Sequence, residues 1–198
     1  MDNLTGLIIC GGQSRRMGSD KSLLDYYGSP HSQYLFQLLE KFCTQVYLSL
    51  NESQSRNTDG TRAHITDAEE YSDIGPMSAL LSAWQKFPSE SLLVVGCDYP
   101  FVSEGEIKRL IQNRKGLATC FINPGKNIYE PLLTVYESAF HSIAMQNYLK
   151  QNYSLSKILE NENVNLIYPS SSFTLRNANT KDEYFAAKKM INQNLTDL

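Results

Sequence analysis

Apolar residues along the chain fall into short continuous runs that alternate with longer stretches of helical spacing. The runs Gly6–Cys10, Gln45–Leu50, Ala63–Thr66, Leu92–Gly96 and Leu117–Ile122 predict strands. They lack polar alternation, as strands do when helices cover both faces of their sheet. Between them His31–Phe42, Met77–Phe87 and Ser103–Arg114 predict helices. Ser103-Glu104-Gly105-Glu106 has the Ser-x-x-Glu form of a capping box, with Ile107, Leu110 and Ile111 as the apolar face behind it. Strands alternating with helices imply βαβ units, and hence a three-layer α/β/α, Rossmann-like fold with a mostly parallel sheet. Further on, Pro131–Tyr136 reads as a strand, Ser138–Lys150 as a helix and Val164–Tyr168 as another strand. Thr180-Lys181-Asp182-Glu183 is a second capping box, opening a helix to about Asn194. No repeat, low-complexity segment or long linker interrupts this pattern, and Pro169-Ser170-Ser171-Ser172 is a polar break short enough to be a loop. One domain over 1–198 is expected.

Composition narrows the function. The 198 residues carry 18 Lys+Arg against 21 Asp+Glu, a net charge of −3. That balance excludes a nucleic-acid binder working by bulk positive charge, so an anionic ligand must be attracted locally. The four cysteines are widely spaced with no CxxC pair, and Cys10, Cys97 and Cys120 stand in apolar runs, which predicts buried free thiols in a reducing compartment. The first residues have no basic stretch followed by a long apolar one, and no run approaches the length of a membrane span, so a cytoplasmic chain is expected. Twelve tyrosines against one tryptophan is a bias that composition does not explain.

The most informative segment is Ile9-Cys10-Gly11-Gly12-Gln13-Ser14-Arg15-Arg16-Met17-Gly18-Ser19-Asp20-Lys21. It follows the first strand, which puts it at the carboxyl edge of an α/β sheet, where ligands bind. Gly11 and Gly12 allow tight backbone turns and close approach of a ligand, and successive N–H groups in such a loop form an anion nest. Three cations (Arg15, Arg16, Lys21) face one carboxylate (Asp20), a local positive charge on an acidic chain. Neither G-x-x-x-x-G-K-[ST] nor G-x-G-x-x-G is present. A second candidate is Asp98, closing the apolar run Leu92–Gly96 one residue beyond Cys97. A carboxylate there is desolvated unless it binds something, and a hard divalent cation bridging phosphates suits it.

The string Gly11-Gly12-x-Ser14-x-Arg16-Met17-Gly18-x-Asp20-Lys21, with Leu23-Leu24 and Gly28-x-Pro30 after it, resembles the nucleotidyltransferase family that contains the molybdenum cofactor guanylyltransferases. The resemblance implies the nucleotide-diphospho-sugar transferase fold, with a nucleotide-binding part at about 1–115 and an acceptor-binding part at about 116–198. It implies a loop that wraps a triphosphate, through Ile9, Cys10, Gly11, Gly12, Arg16, Gly18 and Lys21. Arg15 falls at a variable position, and Asp20 is expected to orient Lys21 or the loop. Cys97-Asp98-Tyr99-Pro100-Phe101 resembles the Cys-Asp-x-Pro-Phe motif whose Asp carries Mg²⁺. Gly75-Pro76, opening a helix beside the base, and Asp67 match nucleoside-contacting positions; Asn51 is a weaker match that Ser49 rivals. Glu130 and the pair Asn177 and Asn179 match segments that place the pterin acceptor, although Lys181 stands where the family has Pro and His31 where it has an apolar residue. The stretch from about 138 to 172 matches no motif.

The chemistry so implied transfers GMP from GTP to molybdopterin, with or without molybdenum, and releases pyrophosphate. Lys21 and Arg16 stabilise phosphate charge and Asp98 holds Mg²⁺. The attacking phosphate is already an anion, so no general base is needed, in keeping with only three histidines, none of them in a motif. Expected partners are GTP, molybdopterin, other cofactor-assembly proteins and the molybdoenzymes that receive the product, with no nucleic acid or membrane. Three alternatives stand beside this: a CTP-dependent cytidylyltransferase acting on the same acceptor, a sugar-1-phosphate nucleotidyltransferase, and a non-catalytic GTP-binding accessory protein. Gly75-Pro76-Met77 and Cys97-Asp98-Tyr99 favour guanylyl over cytidylyl transfer.

Overall fold

A computed structural model describes residues 3–11, 21–58, 60–123, 125 and 128–196, the last three without their side chains. Seven strands among them form one sheet: β1 (Leu4–Ile9), β2 (Gln45–Leu50), β3 (His64–Thr66), β4 (Ser91–Gly96), β5 (Ala118–Asn123), β6 (Ile128–Tyr136) and β7 (Asn165–Ile167), in the order β3-β2-β1-β4-β6-β5-β7. All pairings are parallel except those of β6, which runs antiparallel to both β4 and β5. Four residues separate β5 from β6, and a parallel return needs a crossover of a dozen or more, so the chain turns back on itself.

The helices are α1 (His31–Glu40), α2 (Glu52–Asn57), α3 (Pro76–Lys86), α4 (Glu104–Gln112), α5 (Phe140–Leu149), α6 (Leu155–Asn161) and α7 (Lys181–Thr196). Successive strand side chains point to opposite faces, and two buried clusters result. Ile8, Leu93 and Val95 meet Leu35 and Leu39 of α1 and Ile107 and Leu110 of α4. Leu7, Ile9, Leu92 and Val94 meet Leu80 and Trp84 of α3, Phe140 of α5 and Ile158 of α6. These are the three expected layers. A third cluster packs Ala187 and Ile191 of α7 against Tyr26 and Ala178, which brings the C-terminal helix to the carboxyl edge of β1 and β4.

Two short helices, α2 and α6, are absent from the apolar pattern. α2 buries no residue, and its start is set by a capping box in which the Asn51 side chain accepts from the Gln54 N–H while Gln54 Oε1 accepts from the Asn51 N–H. α6 is opened by Ser154, whose hydroxyl accepts from the Lys157 N–H. Cys10, Cys97 and Cys120 are buried, as their apolar settings predict, and no disulfide joins any of the four cysteines. No helix among the described residues is long and apolar enough to cross a membrane.

Candidate active site

The chain runs outward from β1 to β2 and β3, then returns to place β4 on the other side of β1. That reversal opens a crevice at the carboxyl ends of β1 and β4, the position where open α/β sheets bind ligands. Gly11 follows β1, and its N–H and that of Cys10 both donate to Ser49 O. Asp98 follows β4. Gly12, Arg15, Arg16, Gly18 and Asp20 lie outside the described residues.

Asp98 and Lys21 are joined by the Asn-x-Asn segment. Asn177 Nδ2 donates to Asp98 Oδ2 at 2.9 Å, and Lys21 Nζ donates to Asn179 Oδ1 at 2.6 Å. Between them the Ala178 N–H donates to the Asp98 carbonyl at 2.9 Å. The second capping box holds this segment from behind: Glu183 accepts from the N–H groups of Asn179 and Thr180, and the Thr180 hydroxyl accepts from the Glu183 N–H. Those backbone donors hold the Glu183 carboxyl below its usual range. Asn177 and Asn179, expected beside the acceptor, thus have amides that touch the two central charges.

Burial pushes the Asp98 carboxyl above the ordinary carboxylate range, and the Lys21 charge and the Asn177 hydrogen bond pull it part of the way back. Its second oxygen, Oδ1, is buried with no hydrogen-bond partner among the described residues. An unpaired carboxylate oxygen in a desolvated place is costly unless a cation meets it. The donor set therefore fits a hard divalent ion held by one carboxylate plus phosphate oxygens, the usual manner of Mg²⁺. Among the described residues no three His, Cys, Asp or Glu side chains cluster as an all-protein metal cage. Gly96 is required for this placement, since a Cβ there would lie 2.7 Å from Asp98 Oδ1 and 3.1 Å from Leu132 Cβ.

Aromatic donors fix the segment after Asp98. His31 Nε2 donates to Tyr99 O at 3.2 Å, Tyr27 Oη to Pro100 O at 2.7 Å and Tyr34 Oη to Val102 O at 3.4 Å. The Tyr27 and Tyr34 rings stack at 4.1 Å. Burial pushes His31 down to about 4, so it is neutral and serves as a fixed donor, not a proton carrier. Tyr99 is buried, and its phenol, raised far up by desolvation, donates to Glu130 Oε2 at 2.7 Å. Part of the tyrosine excess is thereby explained, and Glu130 is paired through Tyr99 to the Asp98 segment.

Two clefts are lined by residues of these segments. One, of about 610 Å³, is lined by Ile9, Gly11, Ser49, Asn51, Asp67, Gly75 and Pro76, together with Asp73, Ser78 and Ala79. Gly75 caps α3 at φ +68° with Pro76 at the first helical position, the arrangement that leaves the helix N–H groups open to a ligand. The other cleft, of about 450 Å³, is lined by Phe101, Leu175, Arg176, Asn177, Asn179 and Met190 among others. Asn51 and Ser49 both reach the first cleft, though the Asn51 amide is also spent on capping α2.

In the first cleft Asp67 is pushed up from 3.8 to about 6, chiefly by burial and then by the neighbouring Asp73 charge. The folded protein therefore holds a proton that the unfolded chain releases across that interval, and stability falls as pH rises from about 4 to 6. Asp67→Asn removes this term. The unfolding free energy of the parent relative to that variant, measured by urea titration, should decline over the same window and be level above it. A difference that stays flat with pH would refute the assignment.

Comparison with known proteins places these features in context. Residues 6–166 match the MobA-like NTP transferase domain. The chain is 38% identical over 188 residues to a molybdenum cofactor biosynthesis bifunctional protein of Synechocystis sp., covering 91% of this chain and 52% of that protein. It thus spans about half the length of that relative. It is 29% identical over 152 residues to a molybdenum cofactor guanylyltransferase of Campylobacter jejuni, covering 77% and 78% of the two chains. Its fold is shared with the crystal structure of molybdopterin-guanine dinucleotide biosynthesis protein A from Archaeoglobus fulgidus, at a TM-score of 0.76 and 19% identity, covering 96% and 99%.

Proposed function

The chain belongs to the MobA-like NTP transferase family, and from that premise we propose that it transfers GMP from GTP to molybdopterin, or to molybdopterin carrying molybdenum, in molybdenum cofactor biosynthesis. The observation that carries this reading is that Asn177 and Asn179, which line the second cleft, hold Asp98 and Lys21 by hydrogen bonds, while Ile9 and Gly11 at the carboxyl end of β1 line the first cleft. One cleft would take the nucleotide and the other the acceptor, with the phosphates meeting Lys21 and Asp98.

The phosphate monoester of the acceptor attacks the α-phosphorus of GTP. A new P–O–P bond forms, the α–β bridge breaks, and pyrophosphate leaves. No proton has to be abstracted, so no histidine is used. His31 is buried behind Tyr99, His64 hydrogen-bonds to Ser55 and His141 stacks on Trp84. Lys21, with Arg16 from the loop, would neutralise charge on the phosphates, and the Asn-x-Asn segment would orient both lysine and carboxylate. Mg²⁺ bound at Asp98 would supply electrostatic stabilisation of the phosphate oxygens. Gly11, Gly12 and Gly18 would let the backbone approach the triphosphate.

The ionised Asp67 carboxylate in the nucleotide cleft suits guanine, whose Watson–Crick edge offers two adjacent N–H donors where cytosine offers one beside an acceptor. The division into a nucleotide-binding part at about 1–115 and an acceptor part at about 116–198 follows the same reading, with Glu130, Asn177 and Asn179 on the acceptor side. Use of GTP would suit a cytoplasmic reaction, in which assembly proteins and molybdoenzymes would hand over substrate and receive product. The test is pyrophosphate release by purified protein with Mg²⁺, molybdenum-loaded molybdopterin and each of the four nucleoside triphosphates. Release with GTP alone is expected; release with CTP and not GTP would overturn the guanylyl assignment, and GTP binding without release would make the chain an accessory protein.

A further inference from the structure

The first capping box is only half made, and the other half points elsewhere. Ser103 Oγ accepts from the Glu106 N–H at 3.4 Å, as the sequence predicts, but the Glu106 carboxylate does not reach back to close the box. It is buried, at 2% exposure, against the segment between β7 and α7. Oε1 accepts from the Ser170 N–H at 2.7 Å, from the Ser170 hydroxyl, and from Thr174 Oγ1 at 3.2 Å. Oε2 lies 3.5 Å from Arg109 Nε, and Arg109 Nη2 donates to Tyr168 O at 2.7 Å.

Residues 168–180 form no helix or strand, so turns and side chains must hold them. Among the described residues the backbone–backbone bonds of 168–176 are local turns alone, Thr174 N–H to Ser171 O and Arg176 N–H to Phe173 O. Ser172, Leu175 and Arg176 line the second cleft. A buried charge is retained at a cost unless it is paired and hydrogen-bonded, and here every bond named except the Arg109 contact goes to the segment that walls that cleft.

We propose that Glu106 is a positioning residue for acceptor binding, acting by tying residues 168–174 to α4 so that the wall at 172–176 is set before the acceptor arrives. The proposal rests on the reading that the second cleft takes the acceptor. Ala178 and Asn179 are held separately, by the Asp98 carbonyl and the capping box of α7, and Asn177 by the Asp98 carboxylate, so loosening the wall leaves the Lys21–Asp98 pair in place.

Steady-state kinetics with GTP and molybdopterin varied in turn, alongside amide hydrogen exchange over 168–176, separates the possibilities. Glu106→Ala should raise the KM for molybdopterin about tenfold, as misplacement of a binding wall does, with the KM for GTP and kcat little changed and exchange in the segment faster. Glu106→Gln keeps an oxygen acceptor and should recover most of the loss. Should Glu106→Ala fail to fold, Ser170→Ala/Thr174→Val removes two of the donors at no cost in volume and should raise the molybdopterin KM in the same selective way. Equal increases in both KM values, or faster exchange with an unchanged molybdopterin KM, would overturn the proposal. Absence of transfer by the parent protein is a different failure, seen before any variant is compared, and removes the acceptor assignment on which the proposal stands.

Discussion

Replacing Asp98 by alanine is expected to lower pyrophosphate release by about 10³-fold, the scale of losing a preorganised charge at a phosphoryl-transfer centre. That corresponds to about 4 kcal/mol of transition-state stabilisation. The size follows from the position of the group. Asp98 Oδ1 is buried and unpartnered among the described residues, Oδ2 is held by Asn177, and the flanking carbonyls are pinned by His31, Tyr27 and Tyr34. A carboxylate held this firmly contributes no reorganisation cost when the reaction occurs. Asp98→Asn keeps the shape and the contact with Asn177 but supplies no charge for a cation, and should lose nearly as much. Both variants should retain GTP binding measured without added metal, because Lys21 then lacks its competing partner. Unchanged turnover in either variant would remove Asp98 from the metal and catalytic roles together.

Lys21→Ala is expected to lower kcat by about 10²-fold and to raise the KM for GTP, since the lysine would contact phosphate charge both in the bound substrate and in the transition state. Lys21 Nζ donates to Asn179, whose backbone N–H is capped by Glu183, so the ammonium is placed before substrate arrives. Lys21→Arg retains the charge but substitutes a planar fork for a compact ammonium, and should recover only part of the rate. Measurement of kcat and KM for GTP in all three proteins decides the matter. A rise in KM with full kcat would mean that Lys21 serves binding alone.

The candidate site was partly legible because its two strongest signals are local. Gly11-Gly12 with flanking cations after a strand, and Asp98 directly after an apolar run, each report their position at the carboxyl edge through neighbours a few residues away. The capping box at Thr180–Glu183 was legible for the same reason, and the structure adds that its glutamate steadies Asn179. Of the box at Ser103–Glu106 the serine half forms and opens α4 as expected, but the glutamate half does not, because the rule knows only the four residues of the turn, whereas Ser170 and Thr174 compete for the same carboxylate from 64 and 68 positions away. α2 escaped the apolar pattern because it has no buried face, and Asp73 stood out by no spacing rule.

The order of residues along the chain by itself determined the strands, the longer helices, their burial on both faces and the chemical type of the loop after β1, since these depend on periodicities of two and 3.6 residues and on turn chemistry. Only the tertiary structure decided that β6 enters the sheet antiparallel, that Lys21 meets Asn179 across 158 positions and Asp98 meets Asn177 across 79, and that Tyr27 before α1 and Tyr34 within it brace the segment after β4. Such contacts leave no trace in local pattern. They arise when the packing of buried faces closes long loops, and the partner of a polar group at the end of a strand is whichever distant side chain that packing delivers.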